Sequence, residues 1–215
     1  QIPVDVVKKI SGKLLQELKL EIKIPGFLFL DTPGHAAFTN IRKRGGNLAD
    51  IAILVVDINE DIKLQTEESI DILKNYKTPF VVALNKTDLL PGWQSNPGIT
   101  LLENMQKQSE QNIILIEKKL YEVVGRLSEL GFNSERFDRI EDYTKQIAII
   151  PVSAKTKEGL PELLMVMTGL SQKFLESSLK VDAKGQAKGT ILEVKEEKGL
   201  GTTADVIIYD GTLKQ

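Results

Sequence analysis

Apolar positions change their spacing several times along the chain, and each change predicts an element. Residues 3–18 place Val4, Val7, Leu14, Leu15 and Leu18 at helical intervals, with Lys8, Lys9 and Lys13 elsewhere, which predicts an amphipathic helix. Residues 19–24 alternate polar and apolar in the two-residue period of a half-buried strand. Pro25-Gly26 is a turn signal, and the apolar run Phe27 to Leu30 is expected to return antiparallel as a hairpin. Phe38, Ile41 and Leu48 suit a short helix that Gly45-Gly46 ends or leaves mobile. Residues 51–57, IAILVVD, are nearly continuously apolar, the pattern of a strand covered on both faces. A helix over 64–76 follows, with Ile70, Ile72, Leu73 and Tyr76 apolar, then Thr78-Pro79 and a strand over 80–84. Strand, helix and strand in this order form a βαβ unit, whose crossover is nearly always right-handed. Strand 147–152 adds to the same sheet, and Leu160-Pro161 through Phe174 predicts its last helix, Pro161 being acceptable in a first turn.

Between these strands lies an insert, residues 89–146. Its turn signals, Pro91-Gly92-Trp93 and Asn96-Pro97-Gly98, precede apolar positions at Ile113, Ile116, Leu120, Val123, Leu127 and Leu130. That spacing predicts one long amphipathic helix ending near Gly131, its stripe packed on the domain itself or on a partner. Trp93, the only tryptophan, reads as a packing residue. Residues 176–187 are polar, as in a linker. Thr190 to Glu197 and Ala204 to Tyr209 alternate as strands, with Asp210-Gly211 as a further hairpin turn signal. Fewer than 30 residues of β pattern do not close a barrel, so the rest of a second domain is expected elsewhere.

Composition narrows the function. The 215 residues are 41% hydrophobic and 27% charged, enough to bury a core, and the net charge of −2 argues against a nucleic-acid-binding arm as the main business. Residues 90–145 hold 7 Lys and Arg against 9 Asp and Glu, so the insert is not an RNA patch by charge. Cysteine is absent, which removes disulfides and thiolate metal sites. No apolar run approaches the roughly 20 residues of a membrane span, and no signal peptide is visible. The first residue is Gln1 and the last, Gln215, falls within β pattern, so the chain is expected to be part of a larger protein.

Three strand ends carry chemistry. FLFLDTPGH at 27–35 closes an apolar run with Asp31, and Gly34, lacking a Cβ, lets backbone approach a phosphate. His35 is the only histidine. NKTD at 85–88 follows the run Phe80 to Leu84, and SAK at 153–155 follows Ile147 to Val152. Carboxylates at the C-terminal ends of buried strands sit where α/β sheets bind ligands. The ordered set resembles the GTP-binding domain of the translational GTPases. Further stretches resemble one branch of them, translation initiation factor 5B of archaea and eukaryotes, relative of bacterial initiation factor 2: IPVDVV at 2–7, DTPGHAAFTNIRKRGG at 31–46, ADIAILVVDINE at 49–60, QTEESI at 65–70, GFNSERFDRI at 131–140 and KGTILEVKEEKGLGTTADVIIYDGTL at 188–213. Leu64 departs from the proline that the family more often has there, which touches a helix start and no chemistry.

The resemblance implies an α/β fold: a P-loop-NTPase-like GTPase domain, with a mostly parallel sheet and helices on both faces, followed by the start of a β-barrel. Its expected bounds are 1–175 for the GTP-binding domain, 176–187 for a linker and 188–215 for the first barrel strands. It implies GTP or GDP and Mg²⁺ as cofactors. Asp31 would hold Mg²⁺, Gly34 would meet the γ-phosphate and His35 would be catalytic. Guanine presents two adjacent donors, and the acceptor-only carboxylate of Asp88 can take both, whereas adenine would leave an acceptor unpaired at a cost of ~1–3 kcal/mol. Asn85 would hold the base edge, the stem of Lys86 would lie over it, Ala154 N–H would donate to O6, and Ser153 and Lys155 would shape that loop. Arg42, Lys43 and Arg44 read either as a solvated helix face or as a contact with phosphate or ribosomal RNA.

GxxxxGK[ST], the loop that carries most phosphate binding in such enzymes, does not occur; Gly12-Lys13 lacks both the earlier glycine and a following Ser or Thr. It is expected upstream of Gln1, or lost. Two functions therefore stand: a cytoplasmic, ribosome-dependent GTPase that promotes joining of the ribosomal subunits, or a GTPase-like scaffold without hydrolysis that docks on the ribosome or another partner. Implied partners are both ribosomal subunits, other initiation factors, and initiator tRNA through domains not in this chain, with no membrane.

Overall fold

The computed structural model describes residues 1–17, 22–32, 49–60, 62–96, 98–175 and 185–213. Its contacts divide into two compact units, Gln1–Phe174 and Leu175–Gln215.

The first unit opens with a two-residue strand, β1 (Ile2–Pro3), and helix α1 (Val4–Glu17), which buries Val7, Ser11 and Leu15 at intervals of four. Strand β2 (Gly26–Phe27) pairs antiparallel with β1, Ile2 opposite Phe27 and Pro3 opposite Gly26. This corrects the expected hairpin between 19–24 and 27–30. Residues 22–24 form no strand, and 18–21 lie outside the described residues. Gly26 permits the pairing: it sits at φ 150°, and a Cβ there would lie 2.4 Å from the Ile2 carbonyl oxygen. Residues 28–32 carry no regular structure, and Leu28 and Phe29 are exposed.

A four-stranded parallel sheet then forms. Strand β3 (Ala52–Asp57) leads through α2 (Leu64–Tyr76) to β4 (Phe80–Asn85). The insert supplies α3 (Leu101–Lys107), α4 (Glu110–Glu129) and β5 (Ser134–Arg136); β6 (Ile147–Pro151) and α5 (Leu160–Leu175) complete the unit. The spatial order is β3-β4-β6-β5. Every residue from Phe80 to Leu84 is buried, as a central strand requires. β3 differs from its expected coverage on both faces: Leu54 and Val56 are buried but Val55 is 60% exposed. Leu64 is 72% exposed, so its departure from proline costs no core contact.

The long amphipathic helix expected in the insert is α4, which runs to Glu129, and the shorter α3 precedes it. Thr100 and Glu103 form a capping box that starts α3, and Ser109 accepts from Asn112 N–H at 3.2 Å to start α4. Leu101, Met105, Ile116, Leu120, Val123 and Leu127 all enter the core that holds β4, and so does Trp93. The apolar stripe therefore packs on its own domain, each fully buried side chain contributing ~1.5–3 kcal/mol. Arg126 of α4 pairs with Glu67 of α2, and Lys74 Nζ donates to the Leu130 carbonyl at 3.0 Å.

In the second unit, β7 (Lys188–Glu197) and β8 (Gly201–Asp210) pair antiparallel, with a register shift between Ile191 and Glu193. Asp210-Gly211 does not open another hairpin among the described residues. It returns the chain alongside Gln186, where Thr212 forms a parallel bridge.

Candidate functional site at the ends of three parallel strands

Register places the ends of β3, β4 and β6 side by side, with Asp57 opposite Asn85 and Leu84 opposite Pro151. Past β4 the backbone turns sharply. Lys86 adopts a left-handed conformation at φ 68°, and Thr87–Leu89 form one 3₁₀ turn with Thr87 fully buried. Backbone bonds carry the sheet pattern into the loops: Val152 N–H donates to the Leu84 carbonyl at 2.8 Å and Thr87 N–H to the Val152 carbonyl at 3.2 Å.

Side chains then join the two loops. Ser153 Oγ donates to Asp88 Oδ1 at 2.6 Å, and Ala154 N–H donates to Asn85 Oδ1 at 3.0 Å. Ser153 is fully buried, and its hydroxyl oxygen accepts from Thr156 N–H at 3.1 Å. The loop closes on itself, with Ser153 N–H donating to the Glu158 carbonyl at 2.9 Å. It ends at Gly159, φ 73°, where a Cβ would lie 2.1 Å from the Pro151 carbonyl oxygen. Four expected residues, Asn85, Asp88, Ser153 and Ala154, are thus brought into direct hydrogen-bonded contact. Asp88 Oδ2 and the Asn85 amide nitrogen keep no hydrogen-bond partner among the described residues. Lys155 is exposed.

Lys86 is held from an unexpected side. Its Nζ lies 2.7 Å from Asp57 Oδ2, and Asp57 Oδ1 accepts from Asn59 N–H at 2.9 Å. Burial pushes the Asp57 carboxyl up, but the Lys86 ammonium and the Asn59 N–H outweigh it and hold it below its ordinary value. The same contact raises Lys86, mainly through the hydrogen bond to Asp57. Asp57 was legible by the signal that singled out Asp31, a carboxylate closing an apolar strand, yet IAILVVD read only as a strand. An open pocket lined by Asp57, Glu60, Lys63, Thr66, Asn85 and Lys86 adjoins the pair.

On the proposed phosphate side Asp31 is exposed. Gly34, His35 and the cluster Arg42, Lys43 and Arg44 lie outside the described residues. Among the described residues no group of three or more His, Cys, Asp or Glu could hold a metal by itself. No helix of the described residues is long and apolar enough to cross a membrane.

Comparison with known proteins agrees with this architecture. The probable translation initiation factor IF-2 of Methanopyrus kandleri is 57% identical over 214 residues, 100% of this chain and 36% of that protein. That of Thermococcus kodakarensis is 56% identical over 215 residues, 100% of this chain and 19% of its own length. Among solved structures, GDP-bound aIF5B from Aeropyrum pernix superimposes with a TM-score of 0.88 at 48% identity, over 97% of this chain and 35% of that one. The apo form of elongation factor SelB from Methanococcus maripaludis, at 21% identity and a TM-score of 0.53 over 95% of this chain and 39% of that one, shares the fold. This chain therefore spans about a fifth to a third of its curated relatives' length. The expected fold class holds: a parallel-sheet GTPase domain followed by antiparallel strands. The model of the elongation factor Tu GTP binding domain matches residues 10–173. Because that match covers most of the chain and runs through the motifs at 31–35, 85–88 and 153–155, the chain belongs to the family of the elongation factor Tu GTP-binding domain.

Proposed function

We propose that this chain is the GTP-binding domain, and the first strands of a β-barrel domain, of a translation initiation factor that hydrolyses GTP on the ribosome during subunit joining. The observation that carries the reading is the contact of Ser153 with Asp88 and of Ala154 with Asn85, which makes one base-reading unit from two distant motifs. A carboxylate has about four lone-pair sites, so Asp88 can accept guanine N1–H and N2–H₂ while it holds Ser153. Asn85 contributes its amide nitrogen, and guanine O6 would take or share the Ala154 N–H. The ammonium of Lys86 stays engaged with Asp57 while its aliphatic stem lies over the base.

Asp31 supplies the metal side. Mg²⁺ is held by one or two carboxylates together with substrate phosphates, which suits a single exposed aspartate, and when bound it neutralises phosphate charge. Gly34 would meet the γ-phosphate and His35 would orient the attacking water. The relatives' names support initiation as the process. Ribosomal subunits, other initiation factors, initiator tRNA through later domains, and a cytoplasmic location follow from that reading. The test is a titration of the full-length protein with GDP and ADP, followed by GTP turnover with and without ribosomes. Preference for GDP with ribosome-stimulated turnover is expected. Guanine binding without turnover would leave a docking scaffold, and loss of the GDP preference would overturn the site.

A further inference from the structure

Glu158 ends the base-reading loop, yet its side chain serves the insert. It is 6% exposed, and no described Lys or Arg pairs with it. Neutral donors surround it. Oε2 accepts from Ser95 Oγ at 2.7 Å and from Thr156 Oγ1 at 2.6 Å. Oε1 accepts from the Asn104 side-chain amide and from Asn96 N–H at 3.4 Å. A buried carboxylate is tolerated only when its lone pairs are met, and here a single acceptor-only group gathers four donors.

Three of those donors belong to the insert, and that side is itself fastened. Asn104 is 1% exposed, and its Oδ1 accepts from Asn96 Nδ2 at 2.7 Å and from Gln108 Nε2 at 3.0 Å. Gln108 also exchanges two bonds with the backbone of Gln94, at 2.7 and 2.9 Å. The fourth donor, Thr156, belongs to the base-reading loop, and its N–H bonds to Ser153 Oγ, which in turn donates to Asp88. An unbroken run of contacts therefore leads from the insert through Glu158, Thr156 and Ser153 to Asp88.

We propose that Glu158 is a positioning residue for guanine recognition, bracing the 153–156 loop against insert residues 95–104 so that Ser153 and Ala154 are held where the base is read. The proposal rests on the guanine reading above. It gives the front of the insert a role in nucleotide affinity that neither its charge nor its apolar stripe suggests.

The test compares Glu158→Ala, Glu158→Gln and Ser95→Ala in the full-length protein, with Asp88→Asn as the control for the base site. GDP and inosine diphosphate are titrated against each, and thermal melting is recorded alongside. Inosine lacks the exocyclic amino group, so the ratio of the two affinities reports on Asp88 alone. Glu158→Ala is expected to weaken GDP binding about tenfold and to reduce the preference for GDP over inosine diphosphate about threefold, on the scale of one or two lost hydrogen bonds. Glu158→Gln keeps an acceptor for the Asn104 and Asn96 N–H groups. The rotating hydroxyls of Ser95 and Thr156 can accept from its amide, so it is expected to bind within about twofold of wild type. If Glu158→Ala does not fold, Ser95→Ala carries the test, with GDP binding weakened about threefold at an unchanged melting point. A variant that melts earlier but keeps both affinities within twofold would overturn the proposal and leave the guanine site standing. An Asp88→Asn control that keeps its base preference would overturn the guanine reading and this inference with it.

Discussion

Ser153 Oγ lies 2.6 Å from Asp88 Oδ1, joining residues 65 apart in sequence across the ends of two neighbouring parallel strands. That hydroxyl also accepts the Thr156 N–H, so one buried group sets both the carboxylate and the turn of the loop. Ser153→Ala leaves a carboxylate oxygen and a backbone N–H unpaired. It is expected to weaken GDP binding about tenfold, equivalent to ~1–2 kcal/mol. Calorimetric titration checks this, and an unchanged affinity would remove Ser153 from the base site.

Asp88→Asn reverses part of the donor pattern that the base meets. GTP binding of the full-length protein is expected to weaken at least about tenfold, the scale of one charge-assisted hydrogen bond. Xanthine nucleotides should gain, since ring position 2 then carries a carbonyl oxygen that an amide can meet. Competition between GTP and xanthosine triphosphate reads the switch directly, and a retained GTP preference would sink the assignment.

His35→Ala separates binding from turnover. Phosphoryl transfer needs orientation and charge more than covalent help, and a single positioned group of this type contributes ~10²–10⁴-fold. GTP affinity is expected to stay near wild type while ribosome-stimulated hydrolysis falls by about two orders of magnitude. Turnover within about threefold of wild type would mean that His35 only packs or caps the turn.

Acid should loosen the insert. Arg136 makes paired contacts with Asp138, at 2.5 and 2.8 Å, and a further one with Glu117. Burial raises the Asp138 carboxyl, but the hydrogen bond and charge of Arg136 outweigh it, so its folded value is depressed. Asp142, more exposed, is held at about 2 by hydrogen bonds from the Thr144 side chain and backbone. Groups depressed in the folded state add stability above the ordinary carboxylate value of about 4, and lose it as pH falls through the folded value. Asp138→Asn is expected to lower the melting temperature at pH 7 and to flatten its fall below about pH 4. Melts of both proteins at pH 7 and pH 3 test the sign, and equal slopes would show that Asp138 carries none of it.

Much of the fold was legible because some segments settle their own state. Leu64–Tyr76, Phe80–Asn85 and Ile147–Pro151 carry long, single-period apolar runs bounded by clear stops. The segments that misled are those whose state a neighbour decides. Ser134–Arg136 has no strand pattern of its own and is a strand because the edge of β6 offers unpaired backbone. Phe27–Leu30 has the pattern, yet beyond Phe27 it meets no described partner.

The sequence by itself determined which side chains follow the three parallel strands β3, β4 and β6, because a buried apolar run must stop where a polar residue and a turn follow it. It also carried the family resemblance through the order of those motifs. Only the tertiary structure decided which of these groups touch. The Asp57 carboxylate meets Lys86, Ser153 meets Asp88, and Glu158 meets the insert through contacts that span 29 to 65 residues. Hydrogen bonding acts over about 3 Å and carries no periodicity along the chain. Partners separated so far are therefore chosen by how the parallel strands stack and where the insert closes.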